Sequence, residues 1–169
     1  MSGCIRILGI DPGSQVTGFG VVDLDGVKAL PVHWGSIRTA GEHSVRLRTI
    51  FAELGRIVRE TEPAEIAIES VFVHRNADSA LKLGQARAAA LCATFEAELP
   101  VFEYTPRHIK KAVVGSGRAE KAQVQHMVKL MLGLREALEP DAADALAAAL
   151  CHAHSRGPRA TILKAAGAA

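Results

Sequence analysis

The chain has 169 residues, a length that suits one domain around a single hydrophobic core and excludes a large multidomain protein. Hydrophobic residues make up 49% of it and aromatic residues only 4%, so Ala, Val, Ile and Leu must build most of the core, which favours a layered α/β protein. The formal net charge is only +2, and three widely spaced cysteines form no metal-binding or redox motif, which excludes a zinc module and a disulfide-rich scaffold.

The amino-terminal stretch MSGCIRILGI has neither the charged start nor the long apolar run of a secretion signal. No stretch of the chain approaches the ~18 uninterrupted apolar residues of a membrane span. Together with the unpaired cysteines, these features lead us to expect a soluble, cytoplasmic protein without membrane association.

The first third of the chain predicts three strands and a helix. The apolar run CIRILGI predicts a central first strand, which ends on one acid, Asp11, before a Pro-Gly turn. Strand-like runs on both sides of Asp25-Gly26 predict a β-hairpin, so strands two and three should be antiparallel neighbours. Apolar residues at helical spacing over 44–60 then predict an amphipathic helix.

The rest of the chain predicts two short strands among helices. EIAIES is a fourth strand that again ends on an acid, Glu69, and a long helix over 78–99 and a fifth strand, PVFEY, follow. Thr105-Pro106 is a typical helix start, helices should lie on both sides of Gly115-Ser116-Gly117, and Pro140 begins the last helix. We expect a five-stranded mixed sheet flanked by helices, in one domain over 1–154 with a flexible tail over 155–169.

Four acids are candidates for one site. If strands one and four are parallel neighbours, Asp11 and Glu69 emerge at the same edge of the sheet. Asp141 and Asp144 lie three residues apart on a helix that is otherwise almost all Ala and Leu, so they face the same way. Each acid also has an ordinary structural explanation, such as a turn hydrogen bond for Asp11 or a favourable helix-dipole position for Asp141.

A cluster of four carboxylates needs positive charge to neutralise it. Two unit charges ~4 Å apart repel by ~4 kcal/mol at an effective dielectric of about 20. Divalent cations remove this repulsion, and oxygen-only ligands favour a hard ion, Mg²⁺ or Mn²⁺. Two such ions ~3.5–4 Å apart activate a water and stabilise the leaving oxygen in phosphodiester hydrolysis, so the pattern indicates a metal-dependent nuclease.

Positive charge is concentrated in one block of the chain. Residues 105–135 carry seven Lys and Arg against one acid, whereas residues 1–104 carry ten against thirteen. A local excess of this kind suits a polyanion such as nucleic acid. A run of charges is also typical of a solvated helix face.

Several stretches together resemble the bacterial RuvC Holliday-junction resolvases. They are GIDPG, TGFGVV, IESVF, NADSALKLGQAR, VFEYTP, VVGSG, AEKAQVQHMV and DAADALA, and the match covers about 7–154. The resemblance implies the RNase H-like (retroviral-integrase-like) fold and an endonuclease that works as a homodimer on four-way junction DNA in recombination and repair. It further implies symmetric nicks with 5′-phosphate and 3′-hydroxyl ends, two Mg²⁺ ions per active site with Mn²⁺ as a substitute, and a branch-migration motor complex as a partner.

The resemblance also implies roles for individual residues. The catalytic, metal-binding acids would be Asp11, Glu69, Asp141 and Asp144. Lys110 and Lys121 fall on basic positions near the scissile phosphate. Phe72 matches an aromatic residue that stacks on bases near the junction centre, although the residues alone make a place in the core equally compatible. Further candidate DNA contacts are Arg75, Lys111 and Arg118.

Two other function classes remain compatible with the sequence. An acid followed by glycines after a first strand also holds ATP phosphates in actin-like and sugar kinases, although a two-lobed kinase needs about twice one domain of ~100–150 residues. A module that binds junctions without cutting them would show no nicking at any Mg²⁺ concentration. For an assembly of two copies, the helix that begins at Asp78 is the candidate interface.

Overall fold

Five strands form one mixed sheet in the computed structural model, which describes residues 4–70 and 76–166, with side chains described up to residue 156. The strands are β1 (Ile5–Asp11), β2 (Val16–Asp25), β3 (Lys28–Arg38), β4 (Glu65–Glu69) and β5 (Val101–Tyr104). Their order across the sheet is β3-β2-β1-β4-β5. The antiparallel pairs are β1–β2 and β2–β3, whereas β4 runs parallel to both β1 and β5, which confirms the predicted mixed sheet.

Helices cover both faces of the sheet. They are α1 (His43–Thr61), α2 (Ala77–Cys92), α3 (Pro106–Val114), α4 (Lys121–Leu132) and α5 (Pro140–Ala166). Successive residues of a strand point to opposite faces, so Leu8 of β1 packs with α1 and α2, whereas Ile7 packs with α3, α4 and α5. The core therefore has two layers, and the candidate acids lie at the edge of the layer that contains α5.

The second helix ends earlier than the sequence predicts. We expected a helix over 78–99, but α2 ends at Cys92 and a separate 3₁₀ turn follows at Phe95–Ala97. Thr94 is buried, and its Oγ1 donates to the Leu91 carbonyl oxygen at 2.8 Å. This local hydrogen bond competes with continuation of the helix, and the chain turns back toward β5.

The last helix extends further than the sequence predicts. It continues to Ala166, beyond the expected end at His154. Arg156 in this extension forms an ion pair with Glu65 at the start of β4, which ties the helix to the sheet. The division of the chain into a domain over 1–154 and a flexible tail over 155–169 stays a prediction. No helix in the described part of the chain combines the length and the apolar character that crossing a bilayer requires.

The α5 helix lies close to the sheet because glycines face it. A Cβ atom on Gly9 of β1 would lie 2.0 Å from the Ala145 carbonyl oxygen, and one on Gly18 of β2 would lie 2.0 Å from the Asp141 carbonyl oxygen. Main chain therefore meets main chain with no side chain between them. This close approach sets the first turn of α5 beside the carboxyl end of β1, where Asp11 lies.

Candidate active site

Two of the candidate acids end neighbouring parallel strands. Ile10 of β1 pairs with Ile68 of β4, so Asp11 and Glu69 occupy the next position on each strand. Ile7 of β1 and Ala67 of β4 face α5. Asp11 and Glu69 follow these residues by four and two positions, so their side chains are also on the α5 side of the sheet. The expected juxtaposition at one sheet edge is therefore present.

The turn after Asp11 is fixed by a buried threonine. Thr17 is fully buried, and its Oγ1 donates to the Gly13 carbonyl oxygen at 2.9 Å and accepts from the Gly13 N–H at 3.3 Å. Because this bond bridges the loop between β1 and β2, the end of β1 has little freedom. The Asp11 carboxylate is thus presented from a rigid element.

The other two acids lie in the first turns of α5, and one of them contacts a lysine. Lys121 Nζ lies 2.6 Å from Asp144 Oδ2. Lys121 is the first residue of α4, whose start is fixed by a capping box in which Gln123 Oε1 accepts from the Glu120 N–H at 2.8 Å. The start of one helix therefore places a cation on a carboxylate of another.

A cavity of about 240 Å³ opens beside this cluster. Its lining includes two of the predicted acids and both predicted lysines, namely Glu69, Asp144, Lys110 and Lys121. Lys110 reaches it from α3, whose start is capped by the Thr105 hydroxyl, which accepts from the His108 N–H. The cavity thus brings carboxylates and cations together at one opening.

The carboxylates are coupled electrostatically. Burial raises the pKa of Asp11 to about 8, and the charges of Glu69, Asp144 and Asp141 add to the rise while Lys121 opposes it. Burial also raises the pKa of Glu69 to about 7, with repulsion from Asp144 added and the two lysines opposing. The hydrogen bond to Asp144 raises the pKa of Lys121. The four acids and the two lysines therefore act on one another electrostatically within one site.

The donor set of this site fits a hard divalent cation. In the described ranges, no group of three or more Asp, Glu, His or Cys side chains is arranged as a ready metal site, and Lys121 is the partner of Asp144 instead. The ligands on offer are nonetheless oxygen atoms only, partly buried and short of positive charge, which is the environment that Mg²⁺ and Mn²⁺ occupy. Asp11, Glu69, Asp141 and Asp144 are the residues that would hold such ions.

Of the remaining predicted contacts, Lys111 and Arg118 fall among the described residues. Lys111 and Arg118 are exposed, on α3 and on the loop before α4, and neither lines the cavity. Phe72 and Arg75 lie outside the described residues. Their assignment as DNA contacts stays a prediction.

Replacing Asp11 by asparagine is expected to stabilise the metal-free protein at alkaline pH. The folded state holds a proton on Asp11 up to about pH 8, whereas the unfolded chain releases it near the ordinary pKa of 3.8, so the fold loses stability as the pH rises between these values. Asp11→Asn should recover on the order of 1–3 kcal/mol at pH 8 and little near pH 4. Urea denaturation in EDTA measures both, with Asp25→Asn at the exposed end of β2 as the control. An equal gain at the two pH values would contradict the prediction.

Comparison with known proteins shows which family shares this sequence. A family model described as "Crossover junction endodeoxyribonuclease RuvC" matches residues 7–152. The chain belongs to the RuvC family. The match covers β1 to α5 and includes all four acids and both lysines of the site.

Individual RuvC proteins resemble the chain over most of its length. The crossover junction endodeoxyribonuclease RuvC of Halorhodospira halophila is 57% identical over 153 residues, which cover 89% of this chain and 91% of that protein. The RuvC of Methylococcus capsulatus is 56% identical over 152 residues, with 89% and 92% covered. Thermus thermophilus RuvC, solved in complex with a Holliday junction substrate, is 38% identical, with a TM-score of 0.84 and 90% and 94% of the two chains covered.

Membership of the RuvC family settles the fold and the class of reaction. The fold is RNase H-like, as the resemblance implies. The chain is an endodeoxyribonuclease that hydrolyses phosphodiester bonds of DNA, so the kinase-like and noncatalytic alternatives lose their support. Nucleases of this family and fold generally depend on divalent metal ions.

The sequence did not predict the Lys121–Asp144 ion pair or a role for His152. It gave no reason to pair Lys121 with Asp144, because the two lie on different helices far apart in the chain. It also assigned no role to His152, which is buried and hydrogen-bonded to Glu65 and Tyr104. The available signal was its position, eleven residues after Asp141 and so on the same helix face.

Proposed function

We propose that this chain resolves Holliday junctions by paired, symmetric nicks in a reaction that depends on Mg²⁺. The observation that carries the proposal is the convergence of Asp11, Glu69 and the α5 acids at one sheet edge, where burial, with the charges of the neighbouring carboxylates added, raises the pKa of Asp11 to about 8. Family membership supports the nature of the substrate. The products would carry 5′-phosphate and 3′-hydroxyl ends.

The four carboxylates would hold two Mg²⁺ ions. When bound, the ions supply activation of the attacking water and stabilisation of the leaving 3′ oxygen. The task of Asp11 and Glu69 is to present oxygen ligands from the rigid ends of two strands, and the task of Asp141 and Asp144 is to close the site from α5. The carboxylates repel one another when no cation is bound. Relief of this repulsion would add to the affinity for the cations.

The lysines would offset the charge of the scissile phosphate. In the structure the Lys121 ammonium neutralises Asp144, and a divalent cation on Asp144 would take over that role. Lys121 is then available to a phosphate oxygen at the same cavity. Lys110, on the cavity wall formed by α3, provides a second cation, and its charge already favours ionisation of Glu69.

Junction DNA would extend beyond the cavity over the basic block at 105–135. The exposed residues Lys111 and Arg118 suit contacts with the phosphate backbone, and we extend the same proposal to Arg75 and to base stacking by Phe72. The Thermus thermophilus relative was solved with a Holliday junction substrate, which supports junction DNA as the partner.

Two symmetric nicks need two active sites, so we also propose a homodimer. A twofold axis would place the sites on strands that are related by the symmetry of the junction. The outward face of α2 is the candidate interface, because Leu81 is 62% exposed there. A branch-migration motor complex as a further partner, and a cytoplasmic location, belong to the same proposal.

Nicking of a mobile four-way junction tests this function. With Mg²⁺, the protein should cut two strands of like polarity at symmetric positions, and a ligase should seal the products. With EDTA in place of Mg²⁺ we expect no cutting. Mapping of the cuts at nucleotide resolution, with a linear duplex of the same sequence as the control, gives the result. Equal cutting of the linear duplex, or junction binding without nicks at any Mg²⁺ concentration, would contradict the proposal.

A further inference from the structure

A chain of buried and partly buried polar contacts joins the extension of α5 to the end of β5. Arg156 donates through Nε and Nη2 to both carboxylate oxygens of Glu65, at 2.8 to 3.0 Å. The Oε2 atom of this carboxylate also lies 2.6 Å from His152 Nε2, and His152 Nδ1 lies 2.7 Å from the Tyr104 hydroxyl. His152 is 1% exposed and Tyr104 is 4% exposed. We name these four residues the α5 anchor.

The charge of Glu65 determines which ring nitrogen of His152 donates to it. Burial raises the pKa of Glu65, but the hydrogen bonds from Arg156 and His152 outweigh this and leave its pKa below the ordinary value. An ionised carboxylate only accepts, so His152 Nε2 carries a hydrogen and donates it. His152 Nδ1 makes the second hydrogen bond of the ring, with the Tyr104 hydroxyl. Phe102 stacks on the imidazole with ring centroids 4.3 Å apart, so both the plane and the edges of the ring are held.

One end of the α5 anchor borders the candidate metal ligand on β4. Tyr104 of β5 pairs in parallel register with Glu69 of β4. The residue after Glu69 is also tied to Tyr104, because the Ser70 N–H and Oγ donate to the Tyr104 carbonyl oxygen at 2.8 and 3.2 Å. The position of Tyr104 therefore determines where the chain leaves β4 directly after Glu69.

The other end of the α5 anchor lies on the helix that carries the remaining acids. His152 follows Asp141 by eleven residues, which is about three helical turns, so the two side chains share a face of α5. Asp144 precedes His152 by about 12 Å along the same continuous helix. A hydrogen bond that fixes His152 against β5 thus also fixes how far α5 is shifted along the sheet.

We infer that the α5 anchor positions the metal-binding carboxylates relative to one another. Its His152–Tyr104 hydrogen bond sets the register between α5, which carries Asp141 and Asp144, and the β4–β5 edge, which carries Glu69. The inference rests on the proposed function, because it assigns the device to the same metal site. These are positioning residues that act through the helix and the strands.

Removal of a single hydroxyl group tests the inference. Tyr104→Phe keeps the ring but deletes the bond to His152, and the carboxylates should then bind Mg²⁺ less well, with the half-saturating concentration raised about tenfold. The measurement is the rise of Tm with Mg²⁺ at constant ionic strength and without DNA, so it does not depend on cleavage. Junction binding in EDTA should stay unchanged.

The matched control removes a partly buried ion pair at the end of the sheet that is opposite the metal-binding acids. Asp23→Asn breaks the pair with Arg6, whose Nε lies 2.7 Å from Asp23 Oδ1. We expect this variant to lower Tm in EDTA while the half-saturating Mg²⁺ concentration stays at the wild-type value. Glu65→Gln, which weakens the same anchor at its other end, should raise that concentration as Tyr104→Phe does, and it decides the question if Tyr104→Phe does not fold.

An unchanged half-saturating Mg²⁺ concentration in the anchor variants would overturn the inference, whatever happens to Tm, because the anchor would then serve stability only. A wild-type protein whose Tm does not respond to Mg²⁺ would contradict the metal site and the inference together. The first result leaves the proposed nuclease mechanism intact and the second does not, so the two failures are distinguishable.

Discussion

Replacement of Asp11 by asparagine should abolish cutting of a four-way junction and leave junction binding intact. The side chain keeps its size, but the site loses the carboxylate on which the charges of the other three acids all act. Because the cations would be held by these charges, we expect the cutting rate to fall by at least about a thousandfold. The surface that would contact DNA is unchanged, so binding should stay within about twofold.

The measurement is a single-turnover cleavage assay with Mg²⁺, combined with a gel-shift titration in EDTA. Asp25→Asn is the matched control, because it makes the same chemical change at the exposed last residue of β2, beside the hairpin turn. We expect this control to cut at the wild-type rate. Cutting by Asp11→Asn at that rate would refute the assignment of Asp11, and a parallel loss of binding would indicate a damaged fold.

Replacement of Gly9 by alanine should strongly destabilise the protein. The added Cβ would lie 2.0 Å from the Ala145 carbonyl oxygen and 2.9 Å from the Ala149 nitrogen, and both are main-chain atoms of a helix. Neither can move without displacing α5 from the sheet. We expect a loss of about 3 kcal/mol or more in the free energy of unfolding. Because α5 carries Asp141 and Asp144, the folded fraction should also lose activity.

Urea denaturation measures the change in the free energy of unfolding, with one dependence on urea concentration fitted to both proteins. Gly84→Ala provides the control, since Gly84 lies in the interior of α2 and a Cβ there would meet nothing within 4 Å. This substitution should leave the protein unchanged or more stable by about 0.5–1 kcal/mol. A Gly9→Ala variant within about 1 kcal/mol of the wild type would show that α5 tolerates a shift, against the role we give to the close contact.

Local sequence patterns predict most of the fold because they report local physics. The strands are short apolar runs, the Asp25-Gly26 turn specifies a hairpin, and Thr105-Pro106 starts a helix through a side-chain cap. The convergence of Asp11 and Glu69 was predictable for a related reason. Each ends a strand, and parallel neighbouring strands end at a common edge.

Contacts between distant segments could not be predicted in this way. The end of α2 coincides with a side-chain hydrogen bond of Thr94, and the extension of α5 coincides with an ion pair between residues 91 positions apart. The pairing of Lys121 with Asp144 requires two helices to be packed first. Sequence periodicity reports which face of an element is buried, but it does not report which polar groups meet there.

The main-chain contact between α5 and the sheet makes the distance between Asp11 and the α5 acids independent of how the α1–α2 layer is packed. Since peptide groups rather than side chains set the distance at Gly9 and Gly18, substitutions in the α1–α2 layer can accumulate without altering the gap between Asp11 and the helix acids. A protein engineer could therefore repack that layer for thermal tolerance and retain the geometry of the carboxylates. At Gly9 and Gly18, on the opposite face of the sheet, there is no such latitude, because a single added methyl group is already too large.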